Sequence, residues 1–124
     1  MNLNQVTVPA LDLDASVAFY RQLGLEPIVL SPHYARFVCP QGGATFSVHR
    51  VAPPLVPSLT VVYFETADLD EKVRTLQRSG LHFVQAPRDE PWLWREARLN
   101  DPAGNVICLY WAGENRLNPP WRIN

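Results

Sequence analysis

Residues 3–9 alternate polar and apolar side chains, the period of two expected of a half-buried strand. From Asp12 the period changes. Leu13, Val17 and Tyr20 return at helical spacing, Asp12 or Asp14 can cap the start, and Gly24 supplies a left-handed stop. Strands are predicted near 26–30, 34–39 and 44–50, with Gln41-Gly42-Gly43 turning the last pair. Residues 53–58, with Pro53, Pro54 and Pro57, read as a linker. The pattern then restarts: a strand over 59–66, a helix over 69–79 ended by Gly80, a strand over 81–85, and a hairpin of 94–100 and 105–111 around Asp101-Pro102-Ala103-Gly104-Asn105. Residues 113–124 show no period and carry Pro119-Pro120-Trp121, which reads as an extended tail.

The restart is a repeat. Asp12-Leu13-Asp14…Val17…Tyr20…Gly24-Leu25 returns as Asp68-Leu69-Asp70…Val73…Leu76…Gly80-Leu81, every step displaced by the same 56 residues. Such self-similarity fixes the architecture before any single residue does. The chain therefore reads as one α+β domain made of two β-α-β-β-β modules, 1–52 and 59–112. Eight strands form an open, curved mixed sheet, with both helices on its outer face and a concave face left for a ligand.

Composition narrows the function. The apolar fraction of 47% and charged fraction of 19% are those of an ordinary globular protein. A net charge of -1 gives no attraction to nucleic acid or membrane, and no apolar run approaches a membrane span. The N-terminal residues lack a signal-peptide pattern, so a cytoplasmic location is expected. Cys39 and Cys108 lie on different predicted strands without metal-type spacing and are expected as free thiols.

Strand parity assigns faces. Val6, Val8, Phe46, Val48, Val62, Phe64, Ile107, Leu109 and Trp111 should meet the helices. Gln5, Thr7, Thr45, Ser47, His49, Val61, Tyr63, Glu65, Val106, Cys108 and Tyr110 should face the ligand. Arg36 and Arg98 hold matching places, each four residues before a proline, and point the same way. They suit a carboxylate or phosphate, or else pair internally with Glu65 or Glu96. Trp92 and Trp94, in a proline-flanked loop, suit stacking on a planar or apolar ligand. His49 is the best-placed proton-transfer residue, though a structural role is the alternative. Cys108 has no neighbouring cation in sequence to activate it.

The duplicated module, the Asp-Leu-Asp…Phe-Tyr…Leu-Gly phrase and Asp-Pro-Ala-Gly-Asn together resemble the vicinal oxygen chelate superfamily, over residues 1–111. That superfamily includes glyoxalase I, extradiol dioxygenases, and fosfomycin- and bleomycin-resistance proteins. In its metal-binding members, the resemblance places ligands on the first and last strands of each module, usually His and Glu. Carried onto this chain, those positions are Gln5, Ser47, Val61 and Cys108. They do not make a common site for zinc, nickel or manganese, since valine cannot ligate and serine ligates poorly.

The look is nearest to the bleomycin-resistance branch, through Thr45-Phe46-Ser47-Val48, Leu59–Tyr63 and Glu90-Pro91-Trp92. The resemblance implies a metal-independent homodimer that sequesters a small molecule, with strand exchange associated with Pro9. Leu93-Trp94 departs from that branch, which has glycine after Pro-Trp. The expectation is a small-molecule binding protein without cofactor, metal or catalytic residue. It would bind through Gln5, Thr7, Arg36, Ser47, His49, Tyr63, Glu65, Trp92, Trp94, Arg98, Cys108 and Tyr110. Two alternatives stand beside it. One is an isomerase, lyase or transferase using a substrate-carried metal or a His49/Glu65 acid–base pair. The other is a structural dimer whose cleft is filled by the tail.

Overall fold

Both helices end in the same way, and the repeated Gly-Leu dipeptide is the reason. In the computed structural model, which describes residues 1–123, α1 spans Leu13–Leu23 and α2 spans Leu69–Arg78. Gly24 and Gly80 sit at φ 104° and 102°, a region glycine enters without steric cost. Each glycine N–H donates back to a carbonyl in the last turn (Arg21 and Gln77, both 3.0 Å), and the following leucine N–H reaches Tyr20 or Leu76, at 3.1 and 3.0 Å. This doubled bond satisfies carbonyls that a helix end leaves open. The helix starts differ: Asp12 accepts from the Ala15 N–H at 3.0 Å, whereas Asp68 makes no side-chain cap.

The eight strands are β1 (Gln5–Ala10), β2 (Glu26–Leu30), β3 (Tyr34–Val38), β4 (Thr45–Arg50), β5 (Val61–Glu65), β6 (Gln85–Asp89), β7 (Arg95–Asn100) and β8 (Val106–Trp111). They are hydrogen-bonded as two mixed sheets of four, ordered β1-β4-β3-β2 and β5-β8-β7-β6. In each sheet the first and last strands of a module run parallel and the other pairs are antiparallel. The chain divides into two compact units: Met1–Ser58 with Asp101–Asn105, and Leu59–Asn100 with Val106 onwards.

In the first unit the helix side of the sheet carries Val8, Ala35, Phe37, Phe46 and Val48, all buried, under Leu13, Phe19, Tyr20 and Leu23 of α1. The Tyr20 ring lies 4.5 Å from Phe46 and 6.0 Å from Phe37. In the second unit Ala97, Leu99, Ile107 and Leu109 are buried, as are Leu69, Val73 and Leu76 of α2. Each fully buried side chain of this size contributes about 1.5–3 kcal/mol.

Several expectations shift. Val17 is only half-buried, and Ser16 and Phe19 complete the inner face of α1 instead. The strand expected over 81–85 lies at Gln85–Asp89. Its Pro87 reads as a strand breaker, but β6 is an edge strand with a register shift between Gln85 and Arg88, where a missing N–H is tolerated. Trp111, expected against the helix, is 43% exposed at the end of β8. The tail is not wholly extended, since Gly113–Arg116 forms a 3-10 turn.

Asp101-Pro102-Ala103-Gly104-Asn105 is more than a turn. Asp101 is buried, and its Oδ1 accepts from the backbone N–H groups of Ala103 (2.9 Å) and Asn105 (2.8 Å). Its Oδ2 accepts from Asn105 Nδ2 at 2.7 Å and from the buried Tyr20 hydroxyl at 2.6 Å. Asn105 Nδ2 also donates to the Pro9 carbonyl at 2.8 Å. Burial, reinforced by the Asp101 charge, pushes the Tyr20 phenol far above the ordinary tyrosine range.

A stability prediction follows from this carboxylate. Tyr20→Phe removes one of its four donors and is expected to cost about 1–3 kcal/mol in urea denaturation at pH 7. The raised pKa also fixes a sign. An unfolded tyrosine ionises near pH 10 while the folded Tyr20 does not, so the stability from this group is complete below about pH 10 and falls above it. Tyr20→Phe should lose that alkaline decline, by up to about 1.4 kcal/mol per pH unit. An unchanged alkaline limb would refute the assignment.

Candidate functional site

The strand register places six side chains of the first unit in one polar network. Thr7, Ser47 and Arg36 form one cross-strand row, with Gln5 and Thr45 in the row on one side and His49 and Tyr34 on the other. Ser47 is fully buried. It accepts from Gln5 Nε2 at 2.8 Å and shares a 2.5 Å hydrogen bond with the Tyr34 hydroxyl. Gln5 Nε2 also reaches Thr7 Oγ1 at 3.2 Å, and Thr45 Oγ1 donates to Gln5 Oε1. Arg36 Nε donates to the Tyr34 oxygen at 2.9 Å, with its guanidinium 5.4 Å from the Tyr34 ring centre. The Ser47 hydrogen bond, with Arg36 adding to it, holds the Tyr34 phenol below the ordinary tyrosine range. Burial, second in size to the Ser47 hydrogen bond, works in the opposite direction. Tyr34 was not singled out in the sequence. The signal was there, because it stands two residues before Arg36 and so shares its face.

The matching surface of the second unit is aromatic. Tyr63, Cys108 and Arg98 form the row equivalent to Thr7, Ser47 and Arg36, and Glu65, Tyr110 and Glu96 form the next. Trp94 stacks on Tyr110 at 4.7 Å and 24°, and Tyr63 meets both rings edge-on, at 5.8 and 5.5 Å. Tyr110 and Cys108 are thereby buried, while Tyr63 stays 42% exposed. Glu96 is 1% exposed and has two charge-stabilising donors: Trp92 Nε1 at 2.7 Å on one oxygen and Arg98 Nη2 at 3.1 Å on the other. Arg98 also donates to the Tyr63 hydroxyl at 3.2 Å.

Three candidates have structural duties here. Glu65 Oε2 accepts from the Ala112 and Gly113 backbone N–H groups, at 2.9 and 3.0 Å, and its other oxygen lies 3.7 Å from Arg116 Nε. Arg98 is paired with Glu96, the internal alternative considered from sequence, whereas no carboxylate pairs with Arg36 among the described residues. Cys108 is fully buried, and burial first, then the Glu96 charge, push its thiol up to about 12. Both cysteines are free thiols, and burial also raises the Cys39 thiol. His49 is exposed, opposite Tyr34 in the ladder.

The loop that carries Trp92 shows why the position after it matters. Leu93 N–H donates to Glu90 O at 3.0 Å, and Glu90 N–H donates to Trp94 O at 2.8 Å. This is a three-residue hairpin loop whose last member must be left-handed. Leu93 takes that place at φ 68°, the one non-glycine residue with positive φ among those described. A left-handed non-glycine residue costs about 1–2 kcal/mol.

The four positions at which a divalent ion would be held do not fit one. Val61 has no donor atom, and Gln5 and Ser47 are hydrogen-bonded to each other and to Thr45 and Tyr34. Among the described residues no three His, Cys, Asp or Glu side chains cluster as a metal site requires.

Two outcomes test this geometry. Leu93→Gly should raise stability by about 0.5–1 kcal/mol, relief of strain outweighing the added chain entropy, and β-branched Leu93→Val should lower it. Thermal denaturation in which valine is as well tolerated as glycine would contradict the left-handed assignment. Iodoacetamide at pH 8 should modify Cys39 well before Cys108, whose thiolate fraction there is about one in ten thousand. Equal rates by peptide mass mapping would show that the second thiol is not buried as described.

A family model described as Glyoxalase/Bleomycin resistance protein/Dioxygenase superfamily matches residues 2–109. Solved structures share the fold. A glyoxalase/bleomycin resistance protein/dioxygenase from Nocardioides superposes with a TM-score of 0.79 at 21% identity, covering 100% of this chain and 90% of that one. Lactoylglutathione lyase from Agrobacterium tumefaciens gives 0.75 at 20% identity, covering 90% and 94%. A bleomycin-binding protein complexed with bleomycin gives 0.72 at 22% identity, covering 90% and 98%.

Proposed function

The chain belongs to the glyoxalase/bleomycin resistance protein/dioxygenase superfamily, and on that premise we propose that it is a metal-independent, cytoplasmic small-molecule binding protein, a homodimer that sequesters its ligand without transforming it. The observation that carries this reading is the aromatic surface of Tyr63, Trp94 and Tyr110 on the face of its sheet away from α2, with Trp92 beside it in sequence. Stacked and edge-on rings form a preorganised apolar platform in which Tyr63 is exposed and the Trp94 indole N–H is tied to the Asn115 carbonyl at 3.4 Å. Glu96 and Arg98 neutralise each other beneath it, so the platform offers contact area without net charge. Gln5, Thr7, Ser47 and His49 form a separate polar surface on the first unit.

The fold neighbour that binds bleomycin supports the choice of a bulky, partly planar probe. Support for the dimer comes from β2, an edge strand exposing Ile28, Val29 and Leu30 at 52%, 40% and 61%. An unprotected apolar edge of this kind calls for a partner. Within the chain, β1 with its Pro9 pairs with β4.

A second reading, an isomerase, lyase or transferase, draws on one observation: the lowered phenol of Tyr34 is suited to proton transfer. It does not draw on a His49/Glu65 pair, because backbone N–H groups already hold the Glu65 carboxylate.

Bleomycin titration followed by tryptophan fluorescence and thermal shift tests the proposal. Saturable binding is expected, weakened at least about tenfold by Trp94→Ala. Elemental analysis of the same preparation should find far less than one transition metal per chain. Light scattering should give about twice the 14.1 kDa chain mass. Stoichiometric metal, or a ligand recovered chemically altered, would move the assignment to the enzymatic reading.

A further inference from the structure

The duplication provides an internal comparison that isolates one cation. Arg36 and Arg98 are equivalent, each opposite the buried residue of its neighbouring strand, Ser47 or Cys108. Two positions earlier, on the same face, stand Tyr34 and Glu96. In the second unit the buried Glu96 carboxylate takes Arg98 Nη2 at 3.1 Å, and the charges cancel. In the first unit tyrosine occupies the carboxylate's place and holds only Arg36 Nε. The terminal Nη pair makes no ion pair among the described residues. The neighbouring side chains on this face are Gln5, Thr7, Thr45, Ser47 and His49 on one side and, from β2, Val29 and Glu26 on the other; Glu26, one row away opposite Val38, makes no ion pair with Arg36.

Ser47 is buried and accepts from Gln5 Nε2, and it shares a 2.5 Å hydrogen bond with the Tyr34 hydroxyl in which either oxygen can donate. The Tyr34 oxygen also accepts from Arg36 Nε at 2.9 Å. The surface therefore presents a planar guanidinium fork, its terminal nitrogens in no ion pair among the described residues, beside a phenolic hydroxyl.

We infer that Arg36 and Tyr34 form a binding site for one carboxylate group of a small molecule. The planar fork matches a carboxylate in bidentate geometry, and one uncompensated positive charge matches one negative charge. The site is independent of the aromatic platform: it uses other residues, and its ligand need not be aromatic.

The full-length chain with ¹⁵N-labelled arginine tests this by titration with acetate and, separately, inorganic phosphate at constant ionic strength. The Arg36 Nε–H resonance should shift saturably with acetate while Arg98 stays in place. Tyr34→Phe should weaken acetate binding about tenfold or more, through loss of a hydrogen bond to a charged group. Tyr34→Glu, which copies the second unit's arrangement, should abolish it. The inference is overturned if both arginines shift alike without saturation, if phosphate alone saturates, or if Tyr34→Glu binds acetate as the parent chain does. The comparison of Arg36 with Arg98 needs no variant, so a misfolded substitution leaves it decisive. Loss of bleomycin binding in Trp94→Ala with acetate binding intact would separate this site from the aromatic one.

Discussion

The parallel pairing of β1 with β4, and its copy between β5 and β8, fixes every surface that matters in this protein. Side chains alternate along a strand, so one register decides which residues enter the core and which face outward. With Val6 opposite Phe46 and Val8 opposite Val48, the helix side closes over apolar groups. A one-residue slip of β4 against its neighbours would send Thr45, Ser47 and His49 towards the core and expose Phe46 and Val48. Several large side chains at about 1.5–3 kcal/mol each would be lost, comparable with the whole stability of a small domain. The register is therefore strongly specified, and the outward rows inherit that precision without contributing much to it.

On this common frame the two units have diverged in chemistry. The row Thr7–Ser47–Arg36 is polar, and the row Tyr63–Cys108–Arg98 adjoins stacked rings. Divergence in the second unit carries a cost, since a buried carboxylate such as Glu96 is tolerable only with its lone pairs satisfied. Arg98 provides one donor. Trp92 provides the other, from a hairpin loop whose tight geometry brings its indole N–H within 2.7 Å. The left-handed backbone of Leu93 belongs to the same economy: the loop that positions Trp92 needs that conformation whatever residue occupies it.

Much of this was legible in sequence because its causes are local. Gly-Leu ended both helices, alternation separated the core from the outward face, and Gly104 took the left-handed place in its turn, at φ 88°. What escaped had distant causes. Pro87 looks incompatible with a strand until β6 proves to be an edge. Asp101 looks sufficient as a turn residue, and its partner Tyr20 lies 81 positions away. The commitment of Glu65 to the backbone of Ala112 and Gly113 follows from where the tail leaves β8, which no spacing encodes. Tyr34 is the exception, since parity alone placed it beside Arg36.

Gln5 and Ser47 bring these strands of reasoning together. By the family resemblance alone they stand at ligand positions, and a buried hydroxyl such as that of Ser47 must find partners or destabilise the sheet. Gln5 donates to Ser47, Ser47 turns to Tyr34, and Tyr34 is steadied by Arg36. The first-strand and last-strand positions of this unit thus satisfy one another through neutral groups, with the cation at the end of the chain rather than at its centre. Placing positive charge at the rim and neutral donors behind it favours an anion arriving from outside over a cation held within.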